Sequence, residues 1–148
     1  MALVYFDSSA LVKLLIEEDG SEFAAELWDS CDKAFASRIA YPEVVAALAA
    51  AGRNDDIDSA DLADLLVVWE AHWQAMLPVE LSANVEWRAG QLAQSRALRG
   101  ADAIHLASAL ALQEHDVILA AWDRRLREGA RAEGIALSPP QIEYAPAS

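Results

Sequence analysis

Short apolar runs alternate with helical patterns along the whole chain. The predicted strands are runs of three to five mostly apolar residues, at 2–6, 33–37, 77–81, 117–121 and 135–137. Such continuous runs are typical of strands that are buried on both faces of a sheet. Apolar spacing of three and four residues predicts the helices, at 10–16, 21–31, 43–52, 59–76, 84–98, 100–115 and 124–133. Alternating strands and helices indicate an α/β domain with a mainly parallel sheet.

Four acidic residues interrupt this apolar pattern where strands end or helices begin. Asp7 directly follows the first predicted strand, and Asp123 comes shortly after the fourth. Glu43 and Asp102 lie in the first turns of predicted helices. Ligands of open parallel sheets bind beyond the carboxyl ends of the strands, so adjacent first and fourth strands would bring these side chains together. Close carboxylates repel one another, and Mg²⁺ or Mn²⁺ favours such oxygen ligands, so we expect a divalent metal site.

Helix capping is the competing interpretation of the same residues. Asp and Glu are common in the first turn of any helix, because they accept from free backbone amides and complement the helix dipole. The metal interpretation depends on the set, since all four acids lie in apolar surroundings. Other acids lie in polar stretches such as 17–19 and 55–64, and these predict a solvated surface.

The charge of the chain is acidic and uneven. The net charge is −13, and residues 1–80 carry 16 acidic against four basic side chains. A nucleic-acid substrate would be repelled unless metal ions or a basic strip reversed the local sign. The candidate strip consists of Arg124, Arg125, Arg127 and Arg131, with Lys13 and Arg38. A solvated helix face is the alternative for each of them.

Composition limits the cellular setting. One cysteine, Cys31, excludes an intrachain disulfide and favours a reducing cytoplasm. The N-terminus lacks the basic start of a signal peptide, and no apolar segment is long enough to span a membrane. We therefore expect a cytoplasmic protein with no membrane contact. The 148 residues fit one domain, with a core at about 3–137 and a loose tail at 138–148.

Four sequence stretches around these acids resemble the acidic motifs of the PIN-domain nucleases. They are Tyr5-Phe6-Asp7-Ser8-Ser9-Ala10-Leu11-Val12-Lys13, Pro42-Glu43-Val44-Val45-Ala46-Ala47-Leu48, Ala101-Asp102-Ala103-Ile104-His105-Leu106-Ala107 and Ala121-Trp122-Asp123-Arg124-Arg125-Leu126. Their order and spacing are most similar to those of the VapC toxins of type II toxin–antitoxin systems. One motif would be weak evidence, but four in order are fairly specific.

The resemblance implies a fold and an activity. The fold would be a three-layer sandwich with a five-stranded parallel sheet in the order 3-2-1-4-5. The activity would be endoribonuclease cleavage with one or two Mg²⁺ or Mn²⁺ ions, in a homodimer inhibited by a cognate antitoxin. Asp7, Glu43, Asp102 and Asp123 would be the catalytic and metal-binding quartet. Ser8 and Ser9 match a supporting hydroxyl. From the basic strip, independently of the resemblance, we expect Arg124, Lys13 and Arg38 to contact RNA.

The chemistry expected from this quartet is hydrolysis by an activated water, which leaves a 5′-phosphate and a 3′-hydroxyl. One departure from the family pattern concerns Asp123. Ala120, Ala121 and Trp122 stand where the family commonly has a hydroxyl residue, so Asp123 lacks that support.

The histidines and tryptophans have simpler interpretations. His72, His105 and His115 lie on separate predicted helices without catalytic spacing, and we expect His105 to be a core histidine, although one turn from Asp102. Trp69 and Trp73 lie on one apolar stripe, which packs in the core or helps to form a groove for an antitoxin helix.

Three alternative functions remain open at this level. An RNA-processing PIN nuclease without an antitoxin is the first, and a catalytically silent PIN-fold binding module is the second. A phosphate-accepting, response-regulator-like domain is the third, but it would need an Asp after the third strand, where none stands.

Overall fold

A five-stranded parallel sheet forms the middle layer of the molecule. The computed structural model describes residues 2–112 and 116–144. The strands are β1 (Leu3–Phe6), β2 (Lys33–Ser37), β3 (Leu77–Val79), β4 (Ile118–Ala120) and β5 (Ala136–Ser138). Their order is β3-β2-β1-β4-β5, and every neighbouring pair is parallel. The predicted fold class and strand order are therefore confirmed.

Seven helices of the described residues cover the two faces of this sheet. They are α1 (Ser8–Val12), α2 (Ser21–Ser30), α3 (Ala40–Arg53), α4 (Ser59–Gln74), α5 (Ala83–Ser95), α6 (Gly100–Leu110) and α7 (Arg124–Ala132). The helix predicted at 100–115 ends at Leu110, and His115 lies outside the described residues. None of these helices has the length and apolar character needed to cross a lipid bilayer.

Alternate residues of β1 point into two separate cores. Val4 and Phe6 pack with α1, α3 and α4, whereas Leu3 and Tyr5 pack with α5, α6 and α7. This follows from the two-residue period of a strand, which turns successive side chains to opposite faces. All four residues of β1 are buried, as expected for a central strand covered on both faces.

Two helix starts differ from their predictions. The helix predicted from Glu43 begins at Ala40, so that Pro42 is its third residue. Proline fits there because the first four amides of a helix have no partner within the helix. The helix predicted at 10–16 is the shorter helix Ser8–Val12. It begins two residues earlier than predicted because the side chain of Asp7 caps it by accepting from the amide of Ala10.

Two residues of the segment predicted as a tail, 138–148, contact β4 or the residues that follow it. Ser138 ends β5, opposite Ala120 of β4. The hydroxyl of Tyr144 donates to the carbonyl of Trp122 over 2.7 Å. The segment between them therefore returns to the carboxyl end of β4. Residues 145–148 lie outside the described part of the chain.

Candidate active site

Adjacent central strands bring two of the predicted acids to one edge of the sheet. Phe6 of β1 pairs with Ala120 of β4, and the amide of Asp7 donates to the carbonyl of Ala120 over 3.2 Å. Asp7 thus follows β1 directly, and Asp123 follows β4 after two residues. Pairing of strands that are more than 110 residues apart in sequence therefore places both side chains at the carboxyl edge of the sheet.

Both of these aspartates also cap helices. Oδ1 of Asp7 accepts from the amide of Ala10 over 2.8 Å, and Oδ2 of Asp123 accepts from the amide of Leu126 over 3.0 Å. The capping interpretation is therefore correct for these two residues. It does not exclude a site, because a carboxylate offers about four lone pairs and each cap occupies one. Capping also fixes the orientation of each side chain.

Burial and mutual repulsion perturb the pKa values of two carboxyls. Burial is the main cause that raises the pKa of Asp7, which is 5% exposed, and the charge of Asp102 raises it further. Burial also raises the pKa of Asp102, with the charge of Asp123 as the next cause. The charge of Asp102 thus acts on Asp7, and the charge of Asp123 acts on Asp102, so the three residues form a series of electrostatically coupled carboxylates.

Asp102 has an exposed basic partner at the start of its helix. Nε of Arg99, the N-cap residue of α6, lies 3.4 Å from Oδ2 of Asp102. The Arg99 side chain is 79% exposed, and ion pairs of this kind contribute little. The pKa of Asp102 stays raised despite this partner.

Glu43 has a different environment. Oε1 of Glu43 accepts from the Ser8 hydroxyl over 2.6 Å and lies 2.8 Å from Nε2 of His105. Burial acts to raise the pKa of Glu43, but the bonds from His105 and Ser8 outweigh it, and the pKa is lowered. These bonds therefore favour the charged form of Glu43, whereas burial disfavours the charged forms of Asp7 and Asp102.

Ser8 and Ser9, the predicted supporting residues, contact different acids. Ser8 binds Glu43, whereas the Ser9 hydroxyl lies 2.9 and 3.0 Å from the two carboxylate oxygens of Asp7. These bonds lower the pKa of Asp7 against the effect of burial. Each serine therefore favours the charged form of its partner.

His105 and Tyr5 are the residues of the site that sequence reasoning did not assign to it. His105 was expected to be a core histidine, and it is 2% exposed. Its Nδ1 lies 2.8 Å from the Tyr5 hydroxyl, and its Nε2 contacts Glu43 rather than Asp102. The sequence signal that identifies them is their position in mostly apolar stretches. Tyr5 lies two residues before Asp7, and His105 lies three residues after Asp102.

The candidate RNA-contacting residues are engaged in local contacts. Nζ of Lys13 binds Glu18 over 3.0 Å and the carbonyl of Asp19 over 2.8 Å. Arg38 pairs with Glu80 over 2.6 Å. Arg124 stacks over the ring of Tyr144, 4.6 Å from its centroid, and is exposed beside Asp123.

The prediction that Arg127 belongs to a basic surface strip is wrong. Arg127 is 3% exposed, and its guanidinium donates to the carbonyl of Ala121 over 2.9 Å. Burial lowers the pKa of this guanidinium. Arg127 and the Tyr144 hydroxyl therefore bind consecutive carbonyls, those of Ala121 and Trp122, just before Asp123. These contacts fix the turn that lacks the hydroxyl residue common in the family.

The donor chemistry of the site fits a divalent cation. Asp7, Asp102, Asp123 and Glu43 supply carboxylate oxygens, the ligands that Mg²⁺ and Mn²⁺ prefer. Burial and neighbouring carboxylates raise the pKa values of Asp7 and Asp102, so a bound cation would favour the charged forms of both. Within residues 2–112 and 116–144, however, no three His, Cys, Asp or Glu side chains stand in an arrangement that could hold a metal ion. The carboxylates therefore form an electrostatically coupled series rather than a closed coordination shell.

Comparison with known proteins places these residues in context. A family model described as PIN domain matches residues 4–132. Ribonuclease VapC45 of Mycobacterium tuberculosis (strain CDC 1551 / Oshkosh) is 57% identical over 143 residues, which cover 97% of this chain and 99% of the relative. Ribonuclease VapC49 of Mycobacterium tuberculosis (strain ATCC 25618 / H37Rv) is similar with the same identity and coverage.

Solved structures show the same fold at low identity. FitAcB from Neisseria gonorrhoeae superposes with a TM-score of 0.65 at 17% identity, over 93% of this chain and 97% of that one. A toxin–antitoxin complex from Klebsiella pneumoniae gives 0.62 at 20% identity, over 96% and 100%. VapBC2 from Rickettsia felis, bound to a promoter DNA fragment, gives 0.62 at 13%, over 92% and 97%.

Proposed function

Because the chain belongs to the PIN-domain family, and within it to the VapC proteins, we propose that it is a metal-dependent endoribonuclease. The observation that carries this proposal is the coupled series of carboxylates at the carboxyl edge of the sheet, two of which have raised pKa values. Such perturbed groups in one place are typical of catalytic sites. The similarity to two proteins named as ribonucleases supports RNA as the substrate.

The roles of the acids follow from their environments. Asp7, Asp102 and Asp123 would hold Mg²⁺ or Mn²⁺, one or two ions, with Glu43 as a further ligand or as the partner of the water. When bound, such a cation neutralises the phosphate and lowers the pKa of a water. Glu43 is held ionised by His105 and Ser8, which suits a residue that accepts a hydrogen bond from the attacking water.

The product of this reaction follows from the bond that breaks. Water attacks phosphorus in line, the bond from phosphorus to O3′ breaks, and O3′ takes up a proton. One fragment then ends in a 3′-hydroxyl, and the other begins with a 5′-phosphate. Arg124, exposed beside Asp123, would contact the RNA backbone, as Lys13 and Arg38 would if their local ion pairs opened.

Cleavage of a mixed-sequence RNA tests this proposal. We expect cleavage with Mg²⁺, none with EDTA, and products that carry 5′-phosphates. Asp7→Asn and Asp102→Asn should abolish cleavage while the folded structure is retained, and Asp29→Asn, at an exposed position on α2, is the control. Full activity of either site variant, or cleavage undiminished by EDTA, would refute the mechanism. An RNA-processing enzyme would pass this test but have no antitoxin, and a silent module would fail it.

We also propose a cognate antitoxin as partner, on the surface of α3 and α4. A groove of about 620 Å³ there is lined by Tyr41, Val45, Leu66 and Val67, and Val67 is 72% exposed. Glu70 lies on its margin, and the surrounding half of the chain is strongly acidic. These features favour an amphipathic segment with basic flanks. Solved structures of the same fold include toxin–antitoxin complexes, which agrees with such a partner.

Binding of the protein encoded beside this gene tests the antitoxin proposal. Val67→Asp should weaken this binding by at least about tenfold, because it places a charge in an apolar contact. Trp87→Asp is the control, since Trp87 is 67% exposed on α5, across the sheet. Equal affinity of Val67→Asp and the wild type would place the partner elsewhere.

The homodimer implied by the family resemblance is part of the same proposal. Sedimentation equilibrium should give a mass of twice the 16.0 kDa of one chain. A single-chain mass at micromolar concentration would refute the dimer without affecting the cleavage proposal.

A further inference from the structure

A continuous series of hydrogen bonds leads from the middle of the sheet to Glu43. The backbone amide of Ser37, at the end of β2, donates to the Tyr5 hydroxyl over 3.1 Å. This hydroxyl lies 2.8 Å from Nδ1 of His105, and Nε2 of His105 lies 2.8 Å from Oε1 of Glu43. Ser37 and Tyr5 are fully buried, and His105 is 2% exposed. The series joins four elements, β2, β1, α6 and α3.

The carboxylate end determines the direction of these bonds. Because a carboxylate only accepts, Nε2 of His105 donates to Oε1 of Glu43. With the ring hydrogen on Nε2, Nδ1 accepts from the Tyr5 hydroxyl, whose oxygen accepts in turn from the amide of Ser37. Burial strongly raises the pKa of Tyr5, so the hydroxyl keeps its proton. The ring of His105 meets the Tyr5 ring edge-on, at an interplanar angle of 71°, which restrains its rotation.

The two oxygens of Glu43 are consequently different. Oε1 receives the Ser8 hydroxyl and Nε2 of His105, whereas Oε2 accepts no hydrogen bond within the described part of the chain. The Glu43 side chain is 34% exposed, so water alone could solvate its charge. The bond from the buried histidine therefore does more than favour the charged form, because it also restricts where the carboxylate points.

We propose that Tyr5 and His105 are positioning residues that hold Glu43 by Oε1 and leave Oε2 for the attacking water. This inference rests on the proposed ribonuclease function and adds two residues to it. Neither residue touches the substrate, and both act through Glu43. Groups that orient a functional side chain in this way typically contribute about 10- to 100-fold to activity.

Kinetics of a matched set of variants tests the inference. His105→Leu should lower kcat by about 10- to 100-fold with little change in KM for RNA, because Glu43 is misplaced only for the chemical step. His105→Gln, which retains a side-chain donor, should recover part of this loss. Tyr5→Phe should lower kcat less than His105→Leu does, and the double variant should be no worse than His105→Leu alone, because the contacts act in series. His72→Gln, on α4 against Trp28, is the control histidine.

A spectroscopic measurement on the metal-free protein keeps the test independent of cleavage. In ¹⁵N spectra of the imidazoles, His105 should show a protonated Nε2 and an accepting Nδ1. Glu43→Gln should shift its Nε2 signal, and Tyr5→Phe should shift its Nδ1 signal, whereas His72 should be unchanged. This readout also applies if His105→Leu fails to fold.

Distinct outcomes overturn the two proposals. If the wild type cleaves RNA but folded Tyr5→Phe and His105→Leu keep its kcat, or if their losses simply multiply, the positioning role is refuted and the nuclease stands. If the imidazole signals do not respond to Glu43→Gln or Tyr5→Phe, the series of hydrogen bonds is refuted. If the wild type itself cleaves no RNA with Mg²⁺ or Mn²⁺, the proposed function fails, and the positioning role fails with it.

Discussion

A single methyl group at Gly20 should strain the turn that carries Asp123. Gly20 precedes α2 with φ of +92°, in the left-handed region. A Cβ at this position would lie 2.8 Å from Nε1 and 3.0 Å from Cε2 of Trp122. Trp122 is the residue before Asp123, and its ring is held by Nζ of Lys13, 5.1 Å from the centroid, and by the ring of Phe23. The indole therefore has contacts that oppose its displacement.

Two separate costs add up in Gly20→Ala. A left-handed backbone costs an L-residue about 1–2 kcal/mol. Inserting a methyl group into an occupied space costs typically about 1–3 kcal/mol. The free energy of unfolding should therefore fall by about 2–5 kcal/mol, and each kcal/mol lowers Tm by about 2–4 °C in a domain of this size.

Urea unfolding of a matched pair of variants separates the two costs. Gly134 also has a positive φ, +81°, but a Cβ there would have no neighbour within 4 Å. Gly134→Ala should therefore lose only the backbone cost, and the difference between the variants measures the contact with Trp122. RNA cleavage by Gly20→Ala, measured well below its Tm, should also fall, because displaced Trp122 moves Asp123. Equal losses of stability in the two variants would refute the reasoning about this contact.

The remaining predictions concern charges. Burial and Asp123 raise the pKa of Asp102 in the folded protein, so ionisation of Asp102 costs stability as pH rises through that raised value. Asp102→Asn should therefore be more stable than the wild type at pH 7, and thermal unfolding should show this gain shrinking as pH falls through the raised pKa and vanishing below about 4, where the unfolded chain also binds the proton. A destabilised Asp102→Asn at pH 7 would contradict this. Glu43→Gln should be less stable than the wild type at pH 7, because the lowered pKa of Glu43 contributes stability that is present above the pKa of the unfolded chain and is lost on acidification. An equally stable Glu43→Gln at pH 7 would show that the bonds from His105 and Ser8 contribute nothing. Arg127→Met should lose about 1–3 kcal/mol of stability, because the carbonyl of Ala121 loses its buried partner, without weaker RNA binding in filter assays. Arg124→Ala should weaken RNA binding without that loss of stability, and the reverse pattern would restore Arg127 to the substrate surface.

The sequence predicted the sheet well because buried strands have a strong local signature. The apolar runs around Val4, Ala36 and Leu119 identify strands, and the acids that follow the first and last of these runs, Asp7 and Asp123, indicate the edge of a sheet. The strand order came from the family resemblance, since no local pattern states which strands are neighbours. Helix starts were less accurate, as at Ala40, because proline is most common at the first helical position but is tolerated later in the first turn as well.

The polar contacts within the site were less predictable. Tyr5 and His105 are 100 residues apart, and apolar periodicity shows that each is buried without identifying the other as its partner. Arg127 has the sequence context of a surface arginine, and only the carbonyl of Ala121 explains its burial. The pairing of Glu43 with Ser8 and His105 depends likewise on three elements meeting at one edge.

Calorimetric titration of the protein with Mn²⁺ is the most direct test of a shared cation at the acidic edge. The wild type should give a saturable heat of Mn²⁺ binding, and Mg²⁺ should compete for the same site. Asp7→Asn and Asp102→Asn should each lose this binding, because the site depends on carboxylates at the end of β1 and on α6, whereas Asp29→Asn should bind as the wild type does. Identical Mn²⁺ titrations for all four proteins would contradict the account.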